Sequence, residues 1–151
     1  SAEEHAQGAA IAMNLREMQK LGVPVIAIIS GEGCSGGALG LAVANKVYLL
    51  EHAYYTVISP EGCASILWRD ASKNLEAATA LKITAPDLLE HGIIDGAIKE
   101  PTRGAHTDYE FMAAEMKKTI LEALNELSGM SADELRNHRY DKFRKMGAFL
   151  G

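Results

Sequence analysis

Apolar residues recur along the chain with two different periods. Ile11, Leu15 and Met18 fall at helical spacing within 10–20, a stretch of strong helix formers, and predict a helix that Gly22 and Pro24 end. Residues 23–29 are continuously apolar and β-branched, the pattern of a strand buried on both faces of a parallel sheet. A glycine-dense turn, Gly31 to Gly37, follows. Residues 38–44 are small and apolar and predict a buried helix; 46–51 and 55–59 predict two short strands. Ser59-Pro60-Glu61 has the order of a helix start, with Ser as cap, Pro at the first position and Glu in the first turn, and this helix should run through Trp68. A further helix is expected over 71–81, another from Thr84 to Gly92, and a short strand over 93–98. Thr107 and Glu110 match a capping box opening a long helix with Met112, Met116, Ile120, Leu124 and Leu127 on one face. Ser131 and Glu134 form a second box, opening the last helix.

Alternating strands and helices indicate an α/β fold with parallel strands. The first predicted element is a helix with no strand before it, whereas a βαβ unit needs one. The chain is therefore expected to be the later part of a larger domain, with a core over 1–128 and a helical extension over 129–151. No internal repeat is present.

Composition narrows the classes. The 151 residues are 48% hydrophobic and 23% charged, with a net charge of −5. These values exclude a disordered chain or a collagen-like repeat and argue against nucleic-acid binding driven by bulk charge. The balance shifts within the chain: 1–128 is net −7 and 129–151 is net +2. That basic tail reads as a solvated helix face, or else as a docking helix for an acidic partner. Cys34 and Cys63 are too few and too far apart for a zinc site or a disulfide scaffold, and no metal is expected. No apolar run approaches a membrane span, so a cytoplasmic protein without membrane contact is expected.

The chemistry concentrates in Gly31-Glu32-Gly33-Cys34-Ser35-Gly36-Gly37. A buried strand ends there and a helix of small residues begins. Such a helix start presents unpaired N–H groups, its dipole favours negative charge, and glycines let a ligand oxygen approach the backbone. Phosphate binding fits poorly: neither dinucleotide nor P-loop spacing is present, and no Lys follows Gly37 until Lys46. Three readings remain open on local pattern: a nucleophilic Ser35 in a formal G-x-S-x-G match, a backbone oxyanion hole without a nucleophile, and glycines that only permit close packing.

Two segments carry a resemblance. Gly31-Glu32-Gly33-x-Ser35-Gly36-Gly37-Ala38-Leu39, then Tyr55-x-Val57-Ile58-Ser59-Pro60-Glu61-Gly62-Cys63-Ala64-Ser65-Ile66-Leu67-Trp68, resemble the carboxyltransferase α subunit of bacterial acetyl-CoA carboxylase. Similarity extends back to Ile11-Ala12-x-Asn14-Leu15-Arg16-Glu17-Met18 and forward through Lys82-Ile83-Thr84-Ala85-Pro86-Asp87-Leu88 to Glu100-Pro101-x-x-Gly104-Ala105-His106. The resemblance implies a crotonase-like (ClpP/crotonase) fold, incomplete at its N-terminus because members of that family are longer. It implies transfer of carboxylate from carboxybiotin to acetyl-CoA, giving malonyl-CoA for fatty-acid synthesis. It implies an α₂β₂ assembly with a carboxyltransferase β subunit, and biotin carried on a separate biotin carboxyl carrier protein.

By the same resemblance, the N–H groups of Gly36 and Gly37 face the biotin ureido oxygen, while the partner subunit supplies the donors for the acetyl thioester. Ser35, Glu61 and Gly62 are candidate substrate contacts, Ser35 with the rival role of a turn residue bonded to local backbone. A Clp-type peptidase, also crotonase-like, would need a base near Ser59; His52 comes too early. A third reading is a non-catalytic fragment that docks the β subunit. Cys63 reads as a small buried hydrophobe, Trp68 as core, His106 as a loop histidine, and His52 and His91 as surface positions.

Overall fold

A computed structural model describes residues 4–147. Its elements in chain order are α1 (Gln7–Met18), β1 (Ile26–Ile29), β2 (Glu32–Cys34), α2 (Ser35–Leu41), β3 (Lys46–Leu50), β4 (Tyr54–Thr56), α3 (Pro60–Trp68), α4 (Asn74–Leu81), α5 (Ala85–Glu90), β5 (Gly96–Ile98), α6 (Tyr109–Leu127) and α7 (Ala132–Lys145). Single 3-10 turns at Ala71–Lys73 and Ala105–Thr107 precede α4 and α6.

All the strands pair in parallel. One sheet has the order β1-β3-β5, with Ile26 opposite Lys46 and Tyr48 opposite Gly96. The other pairs β2 with β4, placing Glu32 opposite Tyr54 and Cys34 opposite Thr56. β2 follows β1 after two residues, and Tyr54 N donates to Gly31 O at 3.1 Å, so the second sheet continues the first past its C-terminal edge. The core lies where the sheet meets α5 and α6: Val47, Leu49, Leu50, Ala85, Leu88, Ile94, Ile98 and Met112 are all buried. β1 is an edge strand, and Ile26 to Ile29 are half-buried, not enclosed on both faces as the apolar run suggested.

Other expectations shift in detail. The buried helix expected over 38–44 begins earlier, at Ser35, and buries only Gly40; the fully buried residues are Ala42 to Asn45, in the turn after it. β2 is too short to carry a period. Ser59 caps α3, its Oγ accepting from Gly62 N at 3.1 Å. Ser131 and Glu134 form the expected capping box. The box at Thr107 gives way to Asp108, whose Oδ1 accepts from Phe111 N at 3.0 Å and starts α6 one residue later. Trp68, expected in the core, is 39% exposed, because the last turn of α3 (with Ile66 and Leu67) leaves the body of the fold.

The basic extension is a solvated face only in part: Arg144 and Lys145 are exposed, but two of its five cations turn inward. Arg139 is completely buried, and Lys142 pairs with Asp95, whose Oδ2 also accepts from Val47 N at 2.7 Å. Through Arg139 and Lys142, α7 is bound to β3 and the segments flanking it.

Candidate functional site

Two helix starts share one edge. Because Cys34 and Thr56 are register partners, β2 and β4 end side by side. α2 leaves directly from Cys34, and α3 leaves from Thr56 after Val57–Ser59. The pairing needs Gly33: a Cβ there would lie 2.8 Å from Ile29 Cγ2 and 3.1 Å from the Tyr54 carbonyl oxygen. Tyr54 opens β4 opposite Glu32, two residues before the strand end. Burial raises its phenol above the ordinary range, and the charges of Glu32 and Glu61 add to the effect.

The two starts differ in their free donors. At α3 the Gly62 N–H is taken by the Ser59 hydroxyl. The Glu61 carboxylate accepts from Asn74 Nδ2 at 3.1 Å, and the bond from its own backbone N–H, more than Asn74, holds it below the usual carboxylate range. Both polar groups expected to meet substrate are engaged internally. At α2 the cap residue Cys34 makes no side-chain bond to the first turn, so the N–H groups of Ser35, Gly36 and Gly37 have no capping partner. No described atom lies within 4 Å of a Cβ built on Gly37; on Gly36 the nearest is Ile11 Cγ2 at 3.5 Å. Neither glycine has a positive φ, so their value here is open approach to the backbone and not conformational freedom.

Ser35 is the strained residue, with φ of 62° in the left-handed region. Its side chain is exposed and makes no hydrogen bond among the described residues, so the expected bond to local backbone is not formed. The strain turns the chain from β2 into α2 and was invisible in the sequence, since serine is not a left-handed former. His52 is far from this arrangement in role: its backbone N donates to Glu100 Oε2 at 2.6 Å, in a clasp that closes the loop between β3 and β4. His91 and His106 are exposed, and Cys63 is buried in a small cluster with Ala64 and Ala77.

A cavity of about 540 Å³ opens beside α2, between Leu39, Thr56, Val57, Leu88 and Phe143. Its lining is mainly apolar. Among the described residues no cluster of three or more His, Cys, Asp or Glu could hold a metal, and no helix is long and apolar enough to cross a membrane. The arrangement therefore offers uncapped backbone donors at the start of α2, a helix whose Leu39 lines an apolar recess, and such donors can stabilise an oxyanion without a side-chain nucleophile.

Comparison with known proteins shows the family and the fold. Residues 1–147 match the family described as acetyl co-enzyme A carboxylase carboxyltransferase-like. The acetyl-coenzyme A carboxylase carboxyl transferase subunit alpha of Protochlamydia amoebophila is 56% identical over 149 residues, covering 99% of this chain and 47% of that protein. The same subunit of Clostridium perfringens (strain ATCC 13124) is 59% identical over 145 residues, covering 96% of this chain and 54% of its own. The chain spans about half the length of the curated relatives it matches. Among solved structures, transcarboxylase 12S with methylmalonyl-coenzyme A and methylmalonic acid bound superposes with a TM-score of 0.66 at 18% identity, over 85% of this chain and 25% of that one. The Pseudomonas malonate decarboxylase hetero-dimer superposes with 0.63 at 18%, over 93% and 55%. At these identities the likeness is one of fold, and the fold is crotonase-like.

Proposed function

The chain belongs to the acetyl-CoA carboxylase carboxyltransferase family, and from that premise we propose that it carries the α-side half of a carboxyltransferase site, moving carboxylate from carboxybiotin to acetyl-CoA to give malonyl-CoA. The observation that carries the reading is the contrast between the two helix starts: the α3 N–H at Gly62 is capped and the α2 N–H groups at Gly36 and Gly37 are not.

Biotin, delivered on a carrier protein, supplies the carboxylate. The contribution of this chain is electrostatic. The Gly36 and Gly37 N–H groups donate to an oxygen that gains negative charge as the carboxylate leaves, and the α2 dipole adds to their pull. Donors already fixed in a folded helix need no reorganisation during the reaction. The open space over Gly37 fits a ligand oxygen approaching the backbone. The recess beside Leu39 is mainly apolar, so a ligand seated there would meet little competing polar surface. Ser35, Glu61 and Gly62 border the site, with Glu61 and Gly62 holding the α3 start in place. The β subunit supplies the acetyl-CoA side in an α₂β₂ complex, in the cytoplasm.

The test is the reverse reaction. This chain is mixed with a β-type partner, malonyl-CoA and free biocytin, and acetyl-CoA release is followed. Turnover that needs both proteins is the expected result. Stable binding of the partner with no turnover favours the second reading, a non-catalytic role in docking the β subunit.

A further inference from the structure

α2 is poorly held by its own side chains. Its sequence is Ser-Gly-Gly-Ala-Leu-Gly-Leu; only Gly40 is buried, and Leu39 and Leu41 are 37% and 67% exposed. Most helices are placed by an apolar stripe in the core. This one is placed by its ends and by the flank of α1, where Ile11 packs over Gly36 and Gly40. The front end is fixed by the β2–β4 pairing at Gly33. The rear end runs into Ala42 to Asn45, all buried, and there the anchoring is polar.

Asn45 is the centre of that anchor. Its N donates to Val25 O at 2.8 Å, and its Oδ1 accepts from Val25 N at 3.1 Å and from Arg139 Nη1 at 2.6 Å. Its Nδ2 donates to Leu135 O at 2.9 Å and lies 3.3 Å from His138 Nδ1. Arg139, at 0% exposure, also donates to Val23 O at 3.4 Å and to Leu21 O. One guanidinium thus joins the segment entering β1, the turn leaving α2, and α7. Its partners are carbonyl and amide oxygens, and its Nε is buried with no partner among the described residues. A buried cation without a carboxylate is a costly way to dock a helix, and an apolar side chain would do it more cheaply. What the planar fork adds is geometry at several acceptors at once, which a lysine cannot reproduce.

We propose that Arg139, acting through Asn45, is a positioning residue for the Gly36–Gly37 donors, setting where α2 stands by clamping its rear end. The proposal rests on the reading of those donors as the oxyanion site. Loss of the clamp lets α2 shift, and displacements on the ångström scale at an oriented donor reduce turnover steeply.

The test uses the chain assembled with its β-type partner, in Arg139→Lys and Arg139→Leu forms. The leucine variant removes the buried charge and fills its place with apolar volume, so it keeps α7 docked. Both variants are expected to lower kcat about tenfold with KM for malonyl-CoA unchanged. Both are also expected to raise deuterium uptake over 35–41, which a role confined to α7 would not do. Faster exchange only in α7 and 21–25, with kcat unchanged, overturns the proposal. Gly37→Val is run beside them. If it loses turnover and the Arg139 variants do not, positioning alone is rejected; if it keeps full turnover, the oxyanion reading fails and the proposal with it.

Discussion

Gly33, Ser35 and Gly37 lie within five residues of one another, and each is small for a different reason. Gly33 is required by crowding: the missing Cβ would press on Ile29 and on the Tyr54 backbone. Gly33→Ala is expected to destabilise the fold by about 1–3 kcal/mol, the range for overpacking against atoms that cannot yield, read from denaturant unfolding. Ser35 is strained, and left-handed backbone costs a residue with a Cβ about 1–2 kcal/mol. Ser35→Gly removes that strain but adds the entropy of a glycine, about 0.5–1 kcal/mol, so a gain of about 0–1.5 kcal/mol is expected in the same experiment. Gly37 is free of both constraints and open toward solvent. The sequence singled out Ser35 and Gly37 as candidate site residues but placed all three in one glycine-rich turn without showing what constrains each. Only the backbone path separates the packing glycine from the open one, and nothing local in Ser35 announced its left-handed φ. The same limit applies to Glu61 and Gly62: their place at a helix start was legible, but not that Ser59 and Asn74 already occupy their polar groups.

Elements were legible where local chemistry decides them. Pro60 with Ser59, and Ser131 with Glu134, start helices where their types prescribe. They were not legible where partners across the fold decide. Asp108 displaced Thr107 as a cap because it sits one residue nearer the helix. The α7 cations looked solvated because charge in a helical pattern normally is, and the inward turn of Arg139 and Lys142 depends on Asn45 and Asp95, 94 and 47 residues away. That buried network makes α7 sensitive to acid. His138 Nδ1 lies 3.3 Å from the Asn45 amide nitrogen, so it is the accepting nitrogen of a neutral ring whose proton sits on Nε2. Burial lowers its pKa, with Lys46, Lys142 and Arg139 adding to the shift and Asp95 opposing it. The unfolded chain takes up a proton near the ordinary histidine value of about 6.5, and folded His138 resists it until lower pH. The contribution to stability is therefore complete above that value and is lost as pH falls below it. Thermal unfolding measured from pH 7.5 to 5 should show a decline that is shallower in His138→Gln than in the unsubstituted chain. Equal slopes would remove His138 from the account.

At the scale of the molecule, parallel strands with helices returning over them put helix starts at the carboxyl edge of a sheet, where backbone donors can gather. The crotonase-like fold uses that edge twice here, at α2 and at α3, and caps only the second. The parallel topology and the importance of the glycine turn were both readable from apolar runs and turn residues. The two-sheet arrangement was not, because β2 and β4 are three residues each and their pairing joins segments more than twenty residues apart. The central claim is that catalysis here runs through backbone N–H groups and not through a side-chain nucleophile. The measurement that tests it most directly is the rate of biocytin-dependent acetyl-CoA release by Gly37→Val in the assembled carboxyltransferase, with its melting temperature recorded alongside. A Cβ at 37 meets nothing within 4 Å outside its own helix, and the position has no positive φ, so the melting temperature should hold. With the approach to the donors blocked, kcat should fall about a hundredfold or more, the loss seen when one such donor is removed. A Gly37→Val enzyme that folds and turns over at the unsubstituted rate would contradict the account.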